Sequence, residues 1–302
     1  MYFDLILNSP VFLKEKTALL QGKGSHAYII EGAKGIGKKA FATAASCVHF
    51  CLNTDKKPCF TCAGCKKVLE GIHPDLHFIH PDGNMLKIAQ VREVLSTVYE
   101  SAYEGASKIY VFEDFHLANE HAQNALLKTL EEPPKNVTFF LLCENSLKLL
   151  PTIRSRCKKL RLTEFSENEI LSQLQKSFPN NEKNEFSAKE SYGNIGRAIK
   201  LIEDERYALL NLLATDILSN KGLTHGHIEM IFEKEKDDFR TIAEILELKL
   251  FQKFRETKDT DYLLKLKAVQ DSLAAKQKNV NSGLIFDRLA YTLAKGGQTW
   301  HR

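Results

Sequence analysis

Two stretches of this 302-residue sequence hold residues whose types and spacing could do chemistry. The first is EGAKGIGKKA, residues 31–40. Gly32, Gly37 and Lys38, with Gly35 between the glycines, satisfy the G-x-x-x-x-G-K part of a phosphate-binding loop. In such a loop, backbone N–H groups and the following helix N-terminus cradle phosphates, and the lysine reaches the β- and γ-phosphates. The next residue is normally Ser or Thr, whose hydroxyl holds Mg²⁺. Here it is Lys39, whose ammonium has donors and no acceptor. The second stretch is CLNTDKKPCFTCAGC, with Cys51, Cys59, Cys62 and Cys65 spaced C-x₇-C-x₂-C-x₂-C. Four thiolates this close suit a closed, structural, tetrahedral zinc site rather than a set of free surface thiols. Cys47 lies one helical turn before Cys51 and His49 is nearby, so the first ligand stays open between Cys51 and Cys47. Cys143 and Cys157 read as ordinary core residues.

Further along, KIYVFED ends in Glu113 and Asp114. A nucleotide-hydrolysing strand ends in four apolar residues, then Asp for Mg²⁺, then Glu to polarise water. The acidic pair is present with the lengths exchanged, which leaves Asp114 short of a glutamate's reach by about one C–C bond, roughly 1.5 Å. Displacements near 1 Å can cost about 10²-fold in rate. Where a polar residue would sense the γ-phosphate, the chain reads LLCEN; Cys143 is a poor donor and Glu144 repels phosphate. The three departures together argue against efficient hydrolysis.

The elements that must position these groups follow from short apolar runs alternating with helical stretches. Strands are expected at 26–30, 75–79, 108–114, 138–144 and 158–165, several apolar almost throughout, as in a parallel sheet covered on both faces. Helices are expected at 38–52, 88–100, 117–132 and 147–155, the third stopped by Pro133 and Pro134. This is a doubly wound α/β domain. After about residue 165 the strands cease. Ser166 and Glu169 form a capping box opening a small helical unit, 166–205. Residues 206–295 read as further amphipathic helices, with Ile242, Ile245, Leu246 and Leu250 at helical spacing, and 295–302 as a frayed tail. Hydrophobic residues make up 43% and charged residues 26%, the balance of a soluble globular protein. A net charge of +4 is too mild to name a partner. No apolar run approaches the roughly 18 residues of a membrane span, and MYFDLILNSP lacks the features of a signal peptide. A cytoplasmic location with reduced thiols is therefore expected.

Taken jointly, the altered loop, the cysteine cluster followed by HPD (73–75), NALLKTLEEPP (124–134) after the acidic strand, LLPTIRSRC (149–157) and GNIGRAIKL (193–201) resemble the ring subunits of the bacterial DNA polymerase III clamp loader, within the AAA+ superfamily. The resemblance covers residues 1 to about 205 strongly and the helical remainder weakly. It implies an AAA+ P-loop core with a parallel sheet at 1–165 bearing a zinc module at 51–65, a helical lid at 166–205 and an all-helical collar at 206–302. It implies a hetero-pentameric ring with gamma/tau motor subunits and delta. The ring opens a sliding clamp and places it on primed DNA as part of the polymerase holoenzyme, with no membrane partner.

The family holds zinc-bearing members of two kinds, a hydrolysing gamma/tau-like motor and a ring member whose own nucleotide site has decayed. Lys39 and the short chain place this sequence nearer the second, so intrinsic ATPase activity is not expected and ATP with Mg²⁺ is not expected at its own site. The active motor is the alternative, and a zinc-dependent nucleic-acid-binding protein is a third class that the α/β context disfavours. By resemblance, Arg156 is an arginine finger acting in trans on a neighbour's γ-phosphate. An ordinary surface arginine beside Arg154 is the plain alternative. Arg197 matches the lid arginine that senses nucleotide, or pairs with acidic groups of the core. Lys128 and Glu131 lie on an edge expected to face a ring neighbour. Lys158, Lys159 and Arg161 read as a solvated charge run more readily than as DNA contacts.

Overall fold

The computed structural model describes residues 3–104, 107–219, 223–278 and 280–294. The expected 295–302 tail lies outside them. The described residues fall into two compact units that divide between Ile199 and Lys200.

In the first unit, five strands form one parallel sheet in the order β2-β3-β4-β1-β5. They are β1 (Ala27–Glu31), β2 (Leu76–Ile79), β3 (Lys108–Phe112), β4 (Val137–Cys143) and β5 (Lys158–Arg161). The five expected runs are the five strands. The last is shorter than expected because β5 is an edge strand with alternate residues exposed. Strands β3 and β4 are buried at every residue, which is why they read as unbroken apolar runs. Tyr28, Ile30, Val111, Phe140 and Leu142 face one side of the sheet. They pack under α1 (Phe3–Leu7), α2 (Pro10–Leu20), α3 (Lys38–Phe50) and α4 (Ala63–Glu70). Ile29, Tyr110, Phe112, Phe139 and Leu141 face the other, under α5 (Ile88–Thr97), α6 (Glu120–Glu131) and α7 (Pro151–Arg156). The expected helix at 147–155 is a 3₁₀ turn, Ser146–Lys148, followed by α7, because Pro151 can start a helix but cannot continue one. Sequence periodicity did not announce α1, α2 or α4, which are short or weakly amphipathic in pattern.

One buried acid ties the two ends of the layer together. Glu15 of α2 accepts a hydrogen bond from the Tyr28 hydroxyl at 2.7 Å and pairs with Lys158 at 2.6 Å. At 2% exposure it needs both partners. Burial, with the Glu15 carboxylate beside it, pushes the Tyr28 hydroxyl far above its ordinary pKa.

Helices α8 (Glu167–Ser177) and α9 (Asn184–Glu190) follow the sheet, and the capping box at Ser166 and Glu169 forms as expected. The chain then turns at Gly193, whose φ is +76° and whose carbonyl accepts from Phe165 N at 2.9 Å. Helix α10 (Ile195–Glu203) starts from that turn. The second unit is helical among its described residues: α11 (Glu205–Ser219), α12 (His225–Lys234), α13 (Phe239–Thr257), α14 (Asp261–Gln277) and α15 (Ser282–Ala294). Ile242, Ile245, Leu246 and Leu250 point into its core, as their spacing predicts, around the packed rings of Phe232, Phe239 and Phe286. Among the described residues no helix is long and apolar enough to cross a membrane.

A Cβ at Gly193 would lie 2.2 Å from the Phe165 carbonyl, whereas one at Gly83, also at positive φ, meets nothing within 4 Å. Gly83→Ala is expected to cost only the left-handed penalty, about 1–2 kcal/mol. Gly193→Ala should cost clearly more, read as the difference in urea midpoints.

Candidate functional site

Parallel strands put their C-terminal ends on one rim, and the loop lies there. It leaves β1, carries Gly35 at φ +84° and Gly37 at φ +109°, and enters α3 with Gly37 as the N-cap. Gly32 runs so close to β5 that a Cβ would meet the Leu162 carbonyl at 2.9 Å. The loop thus has the phosphate-cradling shape, but its phosphate-reaching lysine, Lys38, is turned inward.

Lys38 is buried, and its ammonium donates to the loop's own carbonyls, Gly32 O at 2.9 Å and Ala33 O at 3.1 Å. Burial pulls its pKa down, and the carboxylates of Glu144 and Asp114 oppose that. Lys39, in the position of the metal-ligating hydroxyl, reaches across to β3 and pairs with Glu113 Oε1 at 2.7 Å, its ammonium 4.9 Å from the Phe78 ring centroid. The other Glu113 oxygen lies 3.2 Å from His80 Nδ1. The reversed acidic pair therefore splits: Glu113 is spent on Lys39 and His80, while Asp114 turns away at φ +45°. Asp114, His116 and Glu144 gather within 4.8 Å of one another, an anionic corner that repels phosphate. Burial lowers the His116 pKa, which favours the neutral imidazole despite these carboxylates. The set does not fit a magnesium–nucleotide complex, because a cation occupies the place of a cation ligand.

The loop is also latched from the segment after α9. Asn194 Nδ2 donates to Lys34 O at 2.8 Å, and Gly196 N to Gly35 O at 2.9 Å. A Cβ at Gly196 would lie 2.7 Å from the Gly35 carbonyl, so this approach requires glycine on that side. The Arg197 Nη1 donates to Ser191 O at 2.7 Å. Asn194 and His80 escaped the reading of the sequence. The only signal was the G-N-x-G-R grouping, which says nothing of what the amide side chain binds.

On the far side of α3, the thiols of Cys51, Cys59, Cys62 and Cys65 lie within 4.8 Å of one another. Cys62 caps α4, and backbone N–H groups point at sulfur: Leu52 and Cys65 at Cys62, and Cys62 at Cys59, at 3.4–3.5 Å. Hydrogen bonds from the Thr61 backbone and hydroxyl bring the Cys59 pKa down to about 5. For Cys62, burial pushes the pKa up, but backbone N–H groups of Cys65 and Leu52 outweigh it and hold the thiol below its ordinary value. Cys47 is outside this group. Its thiol faces the Cys65 carbonyl at 3.9 Å, and burial pushes its pKa up to about 12. Cys143 and Cys157 are buried, and burial pushes each up to about 12.

At the opposite end of α6 from the acidic pair, Arg156 closes α7. Its Nη2 donates to Glu131 Oε1 at 2.6 Å and its Nη1 to Thr152 O at 2.9 Å. Lys158 and Lys159 are held in ion pairs with Glu15 and Glu31, each at 2.6 Å.

The sequence pattern described as DNA polymerase III, delta subunit, matches residues 9–166. A delta' subunit of DNA polymerase III from Bacillus subtilis is 40% identical over 136 residues, 45% of this chain and 41% of that one. The Escherichia coli delta' subunit is 33% identical over 202 residues, 66% of this chain and 60% of that one. A gamma subunit from Buchnera aphidicola is 30% identical over 228 residues, 72% and 62% respectively. The chain thus spans between about two fifths and three fifths of the length of these relatives. A solved gamma subunit-related protein from Thermotoga maritima superposes with a TM-score of 0.51 at 17% identity, covering 95% of this chain and 99% of that one. That likeness shows the fold.

Removing the Asn194 amide should free the loop without unfolding the sheet. Asn194→Ala is expected to cost about 1 kcal/mol of local stability. Hydrogen exchange of residues 33–37 should quicken by about fivefold while β1 and β4 stay protected.

Proposed function

The chain belongs to the DNA polymerase III delta subunit family, and from that premise we propose that it is a delta-prime-type ring subunit of the clamp loader. In this reading it helps load the sliding clamp onto primed DNA. It turns over no ATP itself and supplies Arg156 in trans to a neighbour's nucleotide site. Residues 166–205 serve as the lid and 206–302 as the collar of a hetero-pentameric ring with gamma/tau and delta.

What carries the reading is the Lys39–Glu113 ion pair. A motor subunit needs that position to bind Mg²⁺ through an oxygen and that carboxylate to act on water or metal. Here the two groups neutralise each other across the gap, and Lys38 is bound to its own loop. A subunit so built has no cis role for an arginine, which leaves Arg156 free to act on the next subunit. Its position at the end of α7, partly exposed, supports that role. A guanidinium beside the γ-phosphate stabilises the charge that develops there during phosphoryl transfer, an effect worth about 10³–10⁵ in rate at one site.

The cysteine cluster fits zinc. Among the described residues the donor set is four soft thiols, the pattern of a structural site. The N–H groups of Leu52, Cys62 and Cys65 already point at sulfur, which is how second-shell donors hold thiolates. Bound zinc would close the 51–65 loop on α3 and α4, with Cys51 rather than Cys47 as the first ligand.

Three outcomes are expected. The purified chain shows no steady ATP turnover; turnover abolished by Lys38→Ala would instead establish the motor reading. Elemental analysis of protein prepared without chelator gives one zinc per chain, retained in Cys47→Ser and lost in Cys59→Ser. Rings reconstituted with Arg156→Ala assemble normally yet lose part of their DNA- and clamp-stimulated ATPase. Arg156→Lys does not rescue, because an ammonium lacks the planar fork. Wild-type rates from intact Arg156→Ala rings would leave this subunit a scaffold only.

A further inference from the structure

We propose that Glu131 is a positioning residue that holds the Arg156 guanidinium back on its own subunit, so that the finger reaches a neighbouring phosphate only by exchanging that carboxylate for phosphate oxygens. The inference rests on the reading of Arg156 as a finger acting in trans.

The geometry is that of a parked side chain. Arg156 is the last residue of α7, a six-residue helix whose final carbonyls lack helical partners. Its guanidinium folds back along that helix. Nη1 donates to Thr152 O at 2.9 Å and to Ser155 Oγ at 3.2 Å, and Nη2 donates to Glu131 Oε1 at 2.6 Å. A finger works by delivering positive charge. A carboxylate at 2.6 Å cancels most of that charge at any phosphate farther away. Restraint and delivery are therefore mutually exclusive for the Nη2 edge, and the two anions compete for it.

The competition is balanced for switching. The Arg156 and Glu131 side chains are 32% and 49% exposed, so an incoming phosphate can reach the pair. A γ-phosphate brings more negative charge and more acceptor oxygens than one carboxylate, and it wins once the ring brings it within reach. A solvent-exposed ion pair of this kind changes an equilibrium by only about two- to fivefold. Glu131 thus lowers idle turnover without blocking the stimulated reaction.

Helix α6 holds α7 at a second, independent point. The Gln123 side chain accepts from Leu150 N at 2.8 Å, and Ile153 of α7 is fully buried in the core cluster that α6 shares. Changing Glu131 therefore leaves the seat of α7 intact and alters only the freedom of the guanidinium. Pro133 and Pro134 end α6 just after Glu131 and fix where its carboxylate can stand.

The test uses complete rings reconstituted with Glu131→Gln, Glu131→Asp, Arg156→Ala and the Glu131→Gln/Arg156→Ala pair. ATPase is measured with and without clamp and primed DNA. Glu131→Gln keeps size and hydrogen-bonding capacity and removes only charge. It is expected to raise unstimulated kcat about two- to fivefold with KM unchanged, and so to lower the stimulation ratio. Glu131→Asp should fall between it and wild type. In the Arg156→Ala background, Glu131→Gln should have no effect. An unstimulated rate for Glu131→Gln at or below wild type, with Arg156→Ala still slowing the ring, would overturn the restraint and leave the finger role standing. An effect of Glu131→Gln that persists without Arg156 would overturn it too. Wild-type turnover from Arg156→Ala rings would remove the finger reading itself, and this inference with it.

Discussion

A parallel sheet buried on both faces brings every strand C-terminus to one rim, and the rest of the first unit depends on that constraint. Strands β1, β3, β4 and β5 pair in one direction. The glycine loop after β1, the acidic pair after β3, Glu144 after β4 and the start of the segment that leads from β5 into α8 therefore meet on that rim. Tight packing on both sides, with Phe139 and Phe140 facing opposite layers, leaves the rim little freedom. In an active site this geometry concentrates phosphate, metal and water. Here the same geometry brings together groups that neutralise one another.

The chemistry of the rim has turned from binding to self-satisfaction. Lys38 donates to the loop carbonyls, Lys39 pairs with Glu113, and Asn194 and Gly196 donate to the backbone of Lys34 and Gly35. A nucleotide would have to displace these bonds and then meet the negative corner of Asp114 and Glu144. The loop has kept its role as a joint between β1 and α3 and as a docking surface for the segment at 193–196. Helix α6 starts beside the acidic pair and ends at Glu131, so one rigid element spans the distance from the closed loop to Arg156.

The cysteine module shows how local backbone geometry sets thiol chemistry. Cys59 and Cys62 accept backbone N–H bonds and sit below the ordinary thiol pKa, while the more enclosed Cys65 is pushed well above it by burial. The cluster thus mixes sulfurs that ionise readily with one that needs a cation to do so. A bound metal would supply that cation. The module lies against α3, the helix that the glycine loop opens, and so braces that helix at its far end.

Five strands, their parallel direction and the four clustered cysteines were legible in the sequence, because each is written in local terms: apolar runs of strand length, close cysteine spacing and a glycine loop between strand and helix. Lys39, the exchanged Glu113–Asp114 pair and Cys143–Glu144 stood out as departures from a hydrolysing site. The sequence left Cys47 beside Cys51, since both lie near the end of one helix; the turn of α3 places the Cys51 thiol with the other three and points Cys47 into the core. Nor could it say where the freed charges went. Lys39 and Glu113 are 74 residues apart, Asn194 and Lys34 are 160, and Glu131 and Arg156 are 25. Each pair is joined only when strands and helices have packed, and side-chain partners at such separations leave no periodicity to read. The sequence by itself determined which groups this protein carries and where they depart from the pattern of a hydrolysing phosphate-binding loop. Only the tertiary structure decided what those groups bind, because a charge must find its partner among whatever the fold sets beside it.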